Sequence, residues 1–557
     1  ALGGKGRGLA FINNFIYNLD FAEIVPEIKI RTPRTTIIGT DEFDTFLEKN
    51  GLKTIVYEIE DYNEIKRLFV KGKLSYELST RLKTYLHIID RPIAVRSSSL
   101  FEDSMHQPFS GIFETYLLPN NHPDIKVRFE QLSTAIKLVY ASIFSTNART
   151  YFKAINYHIE EEKMAVIIQQ VVGNQFEGCF YPHISGTAQS HNFYPVAHMQ
   201  PEEGVAVCAV GLGQYVVEGE KAYRFSPHYP TLEIYSVQDL IKTTQVYFYA
   251  INLNNNNINL LDGEEAGLIK LDISVAEKHG TLKHLASVYN KNNDRIDPGL
   301  DTYGPRVINF ANILKYDYIP LARTIEIILD ITKEAFGSAV EIEFAVDLAK
   351  DKKGLASFYL LQIKPLVGNE DDYNIDLEKI NKKDILLYAE KSMGNGKVEN
   401  ITDVIFIDNA KFDKLRTLEM VDEIEKLNTS MMLKNRRYIL IGPGRWGTRD
   451  RFIGIPVAWP QISNAKIIVE ISLDDFPLDA SLGSHFFHNV TSMNVGYFSV
   501  QNRASDQFIA WNVLNNQMLI EETKFFKHVR FEEPLNIIMD GRKRLSLVLW
   551  GEDLLVP

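Results

Sequence analysis

Two alternating apolar runs, AVEIEFAVD at 339–347 and SFYLLQIKP at 357–365, flank the charged, turn-prone LAKDKKGLA. Runs of this length, rich in β-branched and aromatic residues and parted by a Gly-containing turn, predict a β-hairpin. Strand side chains alternate between faces, so Glu341 and Glu343 share one face and look across at Gln362 and Lys364, paired in the same way. Two carboxylates beside a cation suit a magnesium triphosphate. Magnesium prefers hard oxygen ligands and keeps several waters, so one or two carboxylates plus phosphate oxygens complete its octahedron. A salt-bridged sheet face without a ligand has the same residue pattern.

Single hydrophobic cores stop growing near about 250–300 residues. A chain of 557 residues, 45% of them hydrophobic, is therefore expected to hold at least two domains. A formal net charge of -12 and a pI near 5.7 argue against broad adhesion to nucleic acid or an anionic membrane, while leaving room for a local cationic pocket. Cys179 and Cys208 form neither a CxxC pair nor a Cys/His ladder, so zinc and disulfide frameworks lack support and a reducing, cytoplasmic compartment is expected. No run approaches the ~18 apolar residues of a membrane helix, and the start lacks a basic-then-apolar leader pattern. The chain opens on Ala1, which leaves room for an upstream domain.

DEFDTFLEKNGL at 41–52 has an acidic start, Phe43, Phe46 and Leu47 at helical spacing and a terminal Asn50-Gly51, the pattern of a capped amphipathic helix. Residues 129–163 are mostly helical in pattern, and MAVIIQQVV then predicts a buried strand. Short β-like runs among Gly, Pro and aromatic residues at 173–235 predict antiparallel strands and loops, where a lid has its place. Helix-like patterning is expected to return over 281–335, and the Asn-rich 252–260 is a short biased loop. The polar NEDDYN at 369–374 marks the expected boundary between a domain of residues 1–370 and one of residues 371–557. In the latter, a helix-like stretch at 418–432 and the strand candidates YILIG, AKIIVEISL, NVGYFSV and RLSLVLWG predict a smaller α/β domain.

The opening LGGKGRGLA sets Lys5 among glycines that allow close backbone approach to an anion, while the lysine supplies a point charge. It is not a Walker A loop, and a plain Gly-rich turn reads the same way. In IAVRSSSLFED, Arg96 closes a strand-like IAV and precedes Ser97, Ser98 and Ser99. Arginine at a strand end beside hydroxyls and loop amides suits a phosphate tail. The alternative is a salt bridge from Arg96 to Glu102 or Asp103 in an ordinary loop.

Taken in order, these segments resemble the N-terminal nucleotide-binding domain of the phosphoenolpyruvate synthase, pyruvate phosphate dikinase and rifampin phosphotransferase family. That family runs from a GGKGA-like start through VRSSATAED, FAGQQETYL and a MAVVVQ-like strand to an EWA and LLQARP-like ending. Here GGKGRG, VRSSSLFED, FSGIFETYL, MAVIIQ, EIEFAVD and LLQIKP follow in the same order across residues 1–368. The resemblance implies an α+β fold in which an ATP-grasp domain, with a helical lobe and a sheet lobe, binds ATP with Mg2+. Position by position, it implies that Lys5 and Arg96 contact phosphate and that Gly111 and Thr115 shape the phosphate side of the cleft. Gln169 falls on the strand bordering the adenine, Glu341 and Glu343 on the metal-binding acidic pair, and Gln362 on the polar residue facing the nucleotide. GLGQYVVEG at 211–219 is similar to a stretch of the mobile cover. Lys364 stands where the family usually has arginine, keeping the charge but losing the bidentate fork.

The function expected from these readings is ATP- and magnesium-dependent phosphotransfer, with Lys5, Arg96 and Lys364 as the catalytic cations and a small-molecule or protein acceptor left open. A non-catalytic ATP-binding regulatory module is the alternative, to which Lys364 lends weight. Removing Glu341 and Glu343 together is expected to abolish magnesium-dependent ATP binding with the fold intact. The phosphohistidine segment and barrel of multidomain relatives are not found, and residues 371–557 are too few for a barrel of roughly 250 residues, so the complete pyruvate reaction is not expected of this chain alone. In YILIGPGRWGTRD the glycines at 442, 444 and 447 spell GxGxxG, but Gly454, Pro456 and Pro460 prevent the helix that a dinucleotide fingerprint needs. Arg445, Arg449 and Arg451, with Arg436 and Arg437 upstream, offer a phosphate-binding loop or simply a solvated basic one. His485 and His488 offer a phosphoryl acceptor or metal ligands, or are satisfied, partly buried histidines.

Overall fold

The computed structural model describes all residues except 101, 103–110, 155–156, 193–198, 234, 367–379, 395, 449–451, 474–475, 477–494, 502–506, 541–543 and 552–557. The described chain divides into two compact units, Ala1–Val217 with Lys221–Pro365, and Glu218–Glu220 with Leu366–Pro557. The polar segment 369–374 lies outside the described residues.

The hairpin forms the middle of the first unit's largest sheet. Val340–Asp347 and Ala356–Pro365 pair antiparallel, with Glu341 opposite Lys364 and Glu343 opposite Gln362. A register shift follows between Glu343 and Phe344, so those two polar pairs sit on one regular stretch of ladder beyond an irregularity. Ile28–Arg31 adds to one edge in parallel, and Ile184–Gln189, Val205–Val210 and Tyr223–Phe225 extend the other edge antiparallel, giving six strands. Ile184–Gln189 and Val205–Val210 are buried at every position, as strands covered on both faces must be. The helix Leu321–Phe336 covers part of this sheet with Ile325, Ile328, Leu329 and Thr332, and ends at the left-handed Gly337.

A second, four-stranded antiparallel sheet runs in the order Thr35–Ile38, Met164–Gln170, Ile93–Ser99, Thr115–Leu118. Helices Thr40–Lys49 and Ile125–Ala141 pack on it. The first of these is the helix expected at 41–52. Phe43, Phe46 and Leu47 are buried, Asp41 and Glu42 lie in the first turn and Lys49 in the last, complementing the helix dipole.

The glycine-rich start is the first turn of a helix, Gly3–Asn18. This helix lies between the two sheets. A Cβ at Gly8 would meet the Ile363 carbonyl of one sheet at 3.1 Å, and a Cβ at Gly6 would meet Ile37 and Ser98 of the other at 3.4 Å. At Gly4 a Cβ would fall 1.4 Å from the Glu102 carbonyl, so the close approach that glycine permits is to the chain's own backbone.

One expectation is corrected in this unit. Residues 281–335 are not helical throughout: a three-stranded sheet of Ala286–Asn290, Arg295–Pro298 and Arg306–Ile308 precedes the helix, its hairpin turned by the Asn- and Asp-rich 291–294. In the segment GLGQYVVEG, Leu212, Tyr215 and Val216 join the buried core, and the Leu212 amide donates to the Tyr249 carbonyl at 3.0 Å.

The second unit is built on a ten-stranded sheet. Its parallel part holds Gly396–Ile407, Tyr438–Pro443, Ala465–Ile471 and Gly496–Val500 as successive neighbours, with helix Thr417–Leu433 connecting the first two. Antiparallel strands continue the sheet through Phe526–Asp540, Leu545–Leu549 and Ile385–Ala389. Phe526–Asp540 is absent from the sequence expectations because Glu532, Glu533 and Pro534 interrupt its apolar pattern. After Pro443 the chain forms the short strand Arg445–Trp446, paired with Gly454–Ile455, in place of a dinucleotide-binding helix. Arg436 and Arg437 precede Tyr438–Pro443 while Arg445 follows it, so about 20 Å of strand separates them and they do not share one loop. Arg449, Arg451, His485 and His488 lie outside the described residues.

Candidate functional site

The polar residues of the hairpin meet Arg96 across the space between the two sheets of the first unit. Arg96 Nη2 donates to Gln362 Oε1 at 2.5 Å and lies 3.4 Å from Glu343 Oε2, while Nη1 donates to Gln169 Oε1 at 3.3 Å. Gln169 reaches the same place because its strand sets it opposite Ala94 on one side and Thr35 on the other, and its amide donates to Thr35 Oγ1 at 3.2 Å.

Beneath this layer, Lys364 Nζ lies 2.7 Å from Glu341 Oε1 and 3.5 Å from Glu343 Oε1. Glu341 Oε2 accepts from Gln189 Nε2 at 2.6 Å, so both of its oxygens are engaged. Glu343, with a side chain 13% exposed, is held at longer range from two sides by Lys364 and Arg96. A buried ion pair persists only where such additional hydrogen bonds satisfy it. Removal of Glu341 would leave the buried Lys364 ammonium without its nearer carboxylate, so Glu343, the more exposed of the two, is the member to test alone.

Lys5 sits in a neighbouring network. Its ammonium is ion-paired with Glu102, which is fully buried and also accepts from Ser97 Oγ at 3.2 Å and from the Ser99 amide at 3.3 Å. Gly6 N donates to Ser98 Oγ at 2.9 Å. The three serines thus tie the opening helix to the end of the Ile93–Ser99 strand. Glu102, one of the two local partners considered for Arg96, belongs to Lys5, and Asp103 lies outside the described residues. Behind this network Glu162 is 2% exposed, and burial pushes its carboxyl up to about 7 despite hydrogen bonds from the Leu100 and Lys163 amides.

Thr115 stands opposite Arg96 in the ladder, and its amide donates to Glu264 Oε1 at 2.5 Å. Gly111, with φ of 70°, turns the chain ahead of it. Arg96, Gln169, Glu341, Glu343, Gln362 and Lys364 therefore form one connected network, with Lys5 in the adjoining one and Thr115 beside Arg96 by register. Gln189, Glu162 and Glu264 were not foreseen. Gln189 ends a buried strand, while Glu162 and Glu264 stand in acidic stretches where no spacing singles one carboxylate out, and only strand pairing or packing reveals the partner of each.

Residues 1–384 match the family model of the pyruvate phosphate dikinase AMP/ATP-binding domain, and the chain belongs to that family. It is similar to an uncharacterized phosphotransferase, YvkC, of Bacillus subtilis, with 30% identity over 190 residues, 34% of this chain and 20% of that protein. It is also similar to a phosphoenolpyruvate synthase of Aeropyrum pernix, with 28% identity over 178 residues, 32% of this chain and 19% of that one. The matched stretch thus spans about a fifth of each of these curated relatives. Among the described residues no helix is long and apolar enough to cross a membrane, and no group of three or more His, Cys, Asp or Glu side chains is placed to hold a metal.

Proposed function

We propose that residues 1–370 form an ATP-grasp domain that binds ATP with Mg2+ between its two sheets and transfers a phosphoryl group to a small-molecule or protein acceptor. The observation that carries this reading is the Arg96 bridge. A guanidinium from one sheet meets a carboxylate and a glutamine of the other, where a polyphosphate can replace the intramolecular partners. Family membership supports ATP as the ligand, and the names of the two relatives support phosphotransfer as the class of chemistry.

Within this reading Arg96 and Lys364 offset phosphate charge, while Gln169 and Gln362 orient the nucleotide. Lys5 contacts phosphate by exchanging Glu102 for it, and Gly111 and Thr115 border the phosphates. Glu343, with Glu341 behind it, would hold magnesium; one or two carboxylates suit an ion that keeps waters and takes phosphate oxygens. Held there, the ion would supply charge neutralisation for the phosphates. Phosphoryl transfer rests mainly on positioning and electrostatics, so these residue types suffice without a covalent enzyme nucleophile.

A second reading, a regulatory module that binds ATP without turnover, draws on the engagement of Lys364 with both glutamates at a position where the family usually has arginine. Incubation of the full chain with β- and γ-labelled ATP separates the two. Appearance of labelled phosphate, product or protein, lost in Glu343→Gln, is the outcome expected of a phosphotransferase. Tight ATP binding with no release or transfer of either label would establish the regulatory module instead.

A further inference from the structure

The second unit contains a cavity of 580 Å³ at the amino ends of its parallel strands, within the range of pockets that hold small molecules. Arg436 and Arg437 lead into Tyr438–Pro443, and Lys466 is the second residue of Ala465–Ile471, so adjacent strands deliver three cations to one space. Two carboxylates also line it, one paired with Arg436 of the same lining and one with a lysine outside it. Asp403 is shared among Arg436 at 2.6 Å, His528 at 2.8 Å and Arg530 at 2.9 Å, and Glu399 pairs with Lys397 at 2.5 Å. Arg437 is positioned by neutral groups, the Ser463 carbonyl at 3.3 Å and Asn464 Oδ1 at 3.0 Å. Lys466 is half-buried, and burial together with the nearby Arg437 pushes its ammonium down from the usual range. A phosphate placed between Arg437 and Lys466 interacts favourably with both. Trp459 and Val398 supply an apolar wall beside the charged one.

We propose that this cavity binds a small phosphorylated ligand, with Arg437 and Lys466 on the phosphate and Trp459 against the ligand's apolar body. A guanidinium presents parallel N–H donors to phosphate oxygens and an ammonium adds a point charge, a combination suited to phosphate. The site is independent of ATP binding in the first unit, and its failure would leave that reading untouched.

Phenyl phosphate serves as the probe, titrated calorimetrically into the full chain, with phenol as the uncharged control. Binding of phenyl phosphate but not phenol is expected, weakened about 10-fold or more in Arg437→Gln and in Lys466→Gln, with ATP affinity unchanged in both variants. Should either variant fold poorly, the wild-type chain answers through Lys466 itself: phenyl phosphate is expected to protect it from amine acylation, read by peptide mass spectrometry. No binding, binding indifferent to both substitutions, or acylation of Lys466 unaffected by saturating phenyl phosphate would overturn the proposal.

Discussion

Lys364 Nζ lies 2.7 Å from Glu341 Oε1, and the two side chains are only 2% and 4% exposed. Truncating one member of such a pair leaves an uncompensated buried charge, a loss of about 3–5 kcal/mol. Lys364→Met is therefore expected to destabilise the first unit by that order in urea unfolding, and Lys364→Arg by much less. A Lys364→Met chain as stable as wild type would show that the pair contributes nothing to folding.

Arg96 should behave differently, since its side chain is 16% exposed and its partners are spread over three strands. Arg96→Ala is expected to keep the circular dichroism spectrum while lowering ATP affinity about 10- to 100-fold, as loss of charge-assisted hydrogen bonds to phosphate implies. Arg96→Lys restores the charge but not the fork, so only partial recovery is expected. Isothermal titration with ATP reads both.

Glu162 sets a pH dependence of opposite sign to an ordinary salt-bridged carboxylate. Its folded carboxyl titrates near about 7 against a reference of 4.5, so the folded state holds the proton more tightly. That stabilisation is complete below the unfolded value and is lost as pH rises through the folded one, a change of up to about 3 kcal/mol. Glu162→Gln is expected to flatten the stability profile between pH 4.5 and 8 and to be the more stable chain at pH 8. Parallel profiles for the two proteins would contradict this.

Gly4→Ala places a methyl group 1.4 Å from the Glu102 carbonyl, on backbone that no rotamer change can clear. The opening helix must then lift from the serine segment, breaking the Lys5–Glu102 pair and the Gly6–Ser98 hydrogen bond. A loss of about 3 kcal/mol or more is expected, together with weakened ATP binding. Gly51→Ala is the comparison: its φ of 65° costs about 1 kcal/mol, but nothing lies within 4 Å of the added carbon and ATP binding should not change.

In the second unit, burial opposes the Asp403 charge, yet hydrogen bonds from His528, Arg436 and Arg530 hold the carboxyl well below the usual range. Its contribution is present above the unfolded value and is lost as pH falls through the folded one. Asp403→Asn is expected to destabilise this unit by about 3 kcal/mol at pH 7, with the gap to wild type closing as the pH falls below about 4. Chemical denaturation at pH 7 and pH 3 measures the difference.

The sequence by itself determined the hairpin, the pairing of Glu341 and Glu343 with Lys364 and Gln362, the capped helix at Thr40–Lys49 and the buried strand at Met164–Gln170. These follow from alternation and from 3.6-residue spacing, which act over a few residues and can be read along the chain. Only the tertiary structure decided which partner each charge takes. Arg96 had acidic residues six and seven positions away, but the packing of two sheets hands it to Glu343, 247 residues on, and gives Glu102 to Lys5. The same packing seats the opening glycines as a helical turn against the backbone of Ser98 and Glu102, and places Arg437 and Arg445 at opposite ends of one strand. Local patterns specify which face a side chain takes; its neighbour across that face comes from another part of the chain, and only the folded layers fix it.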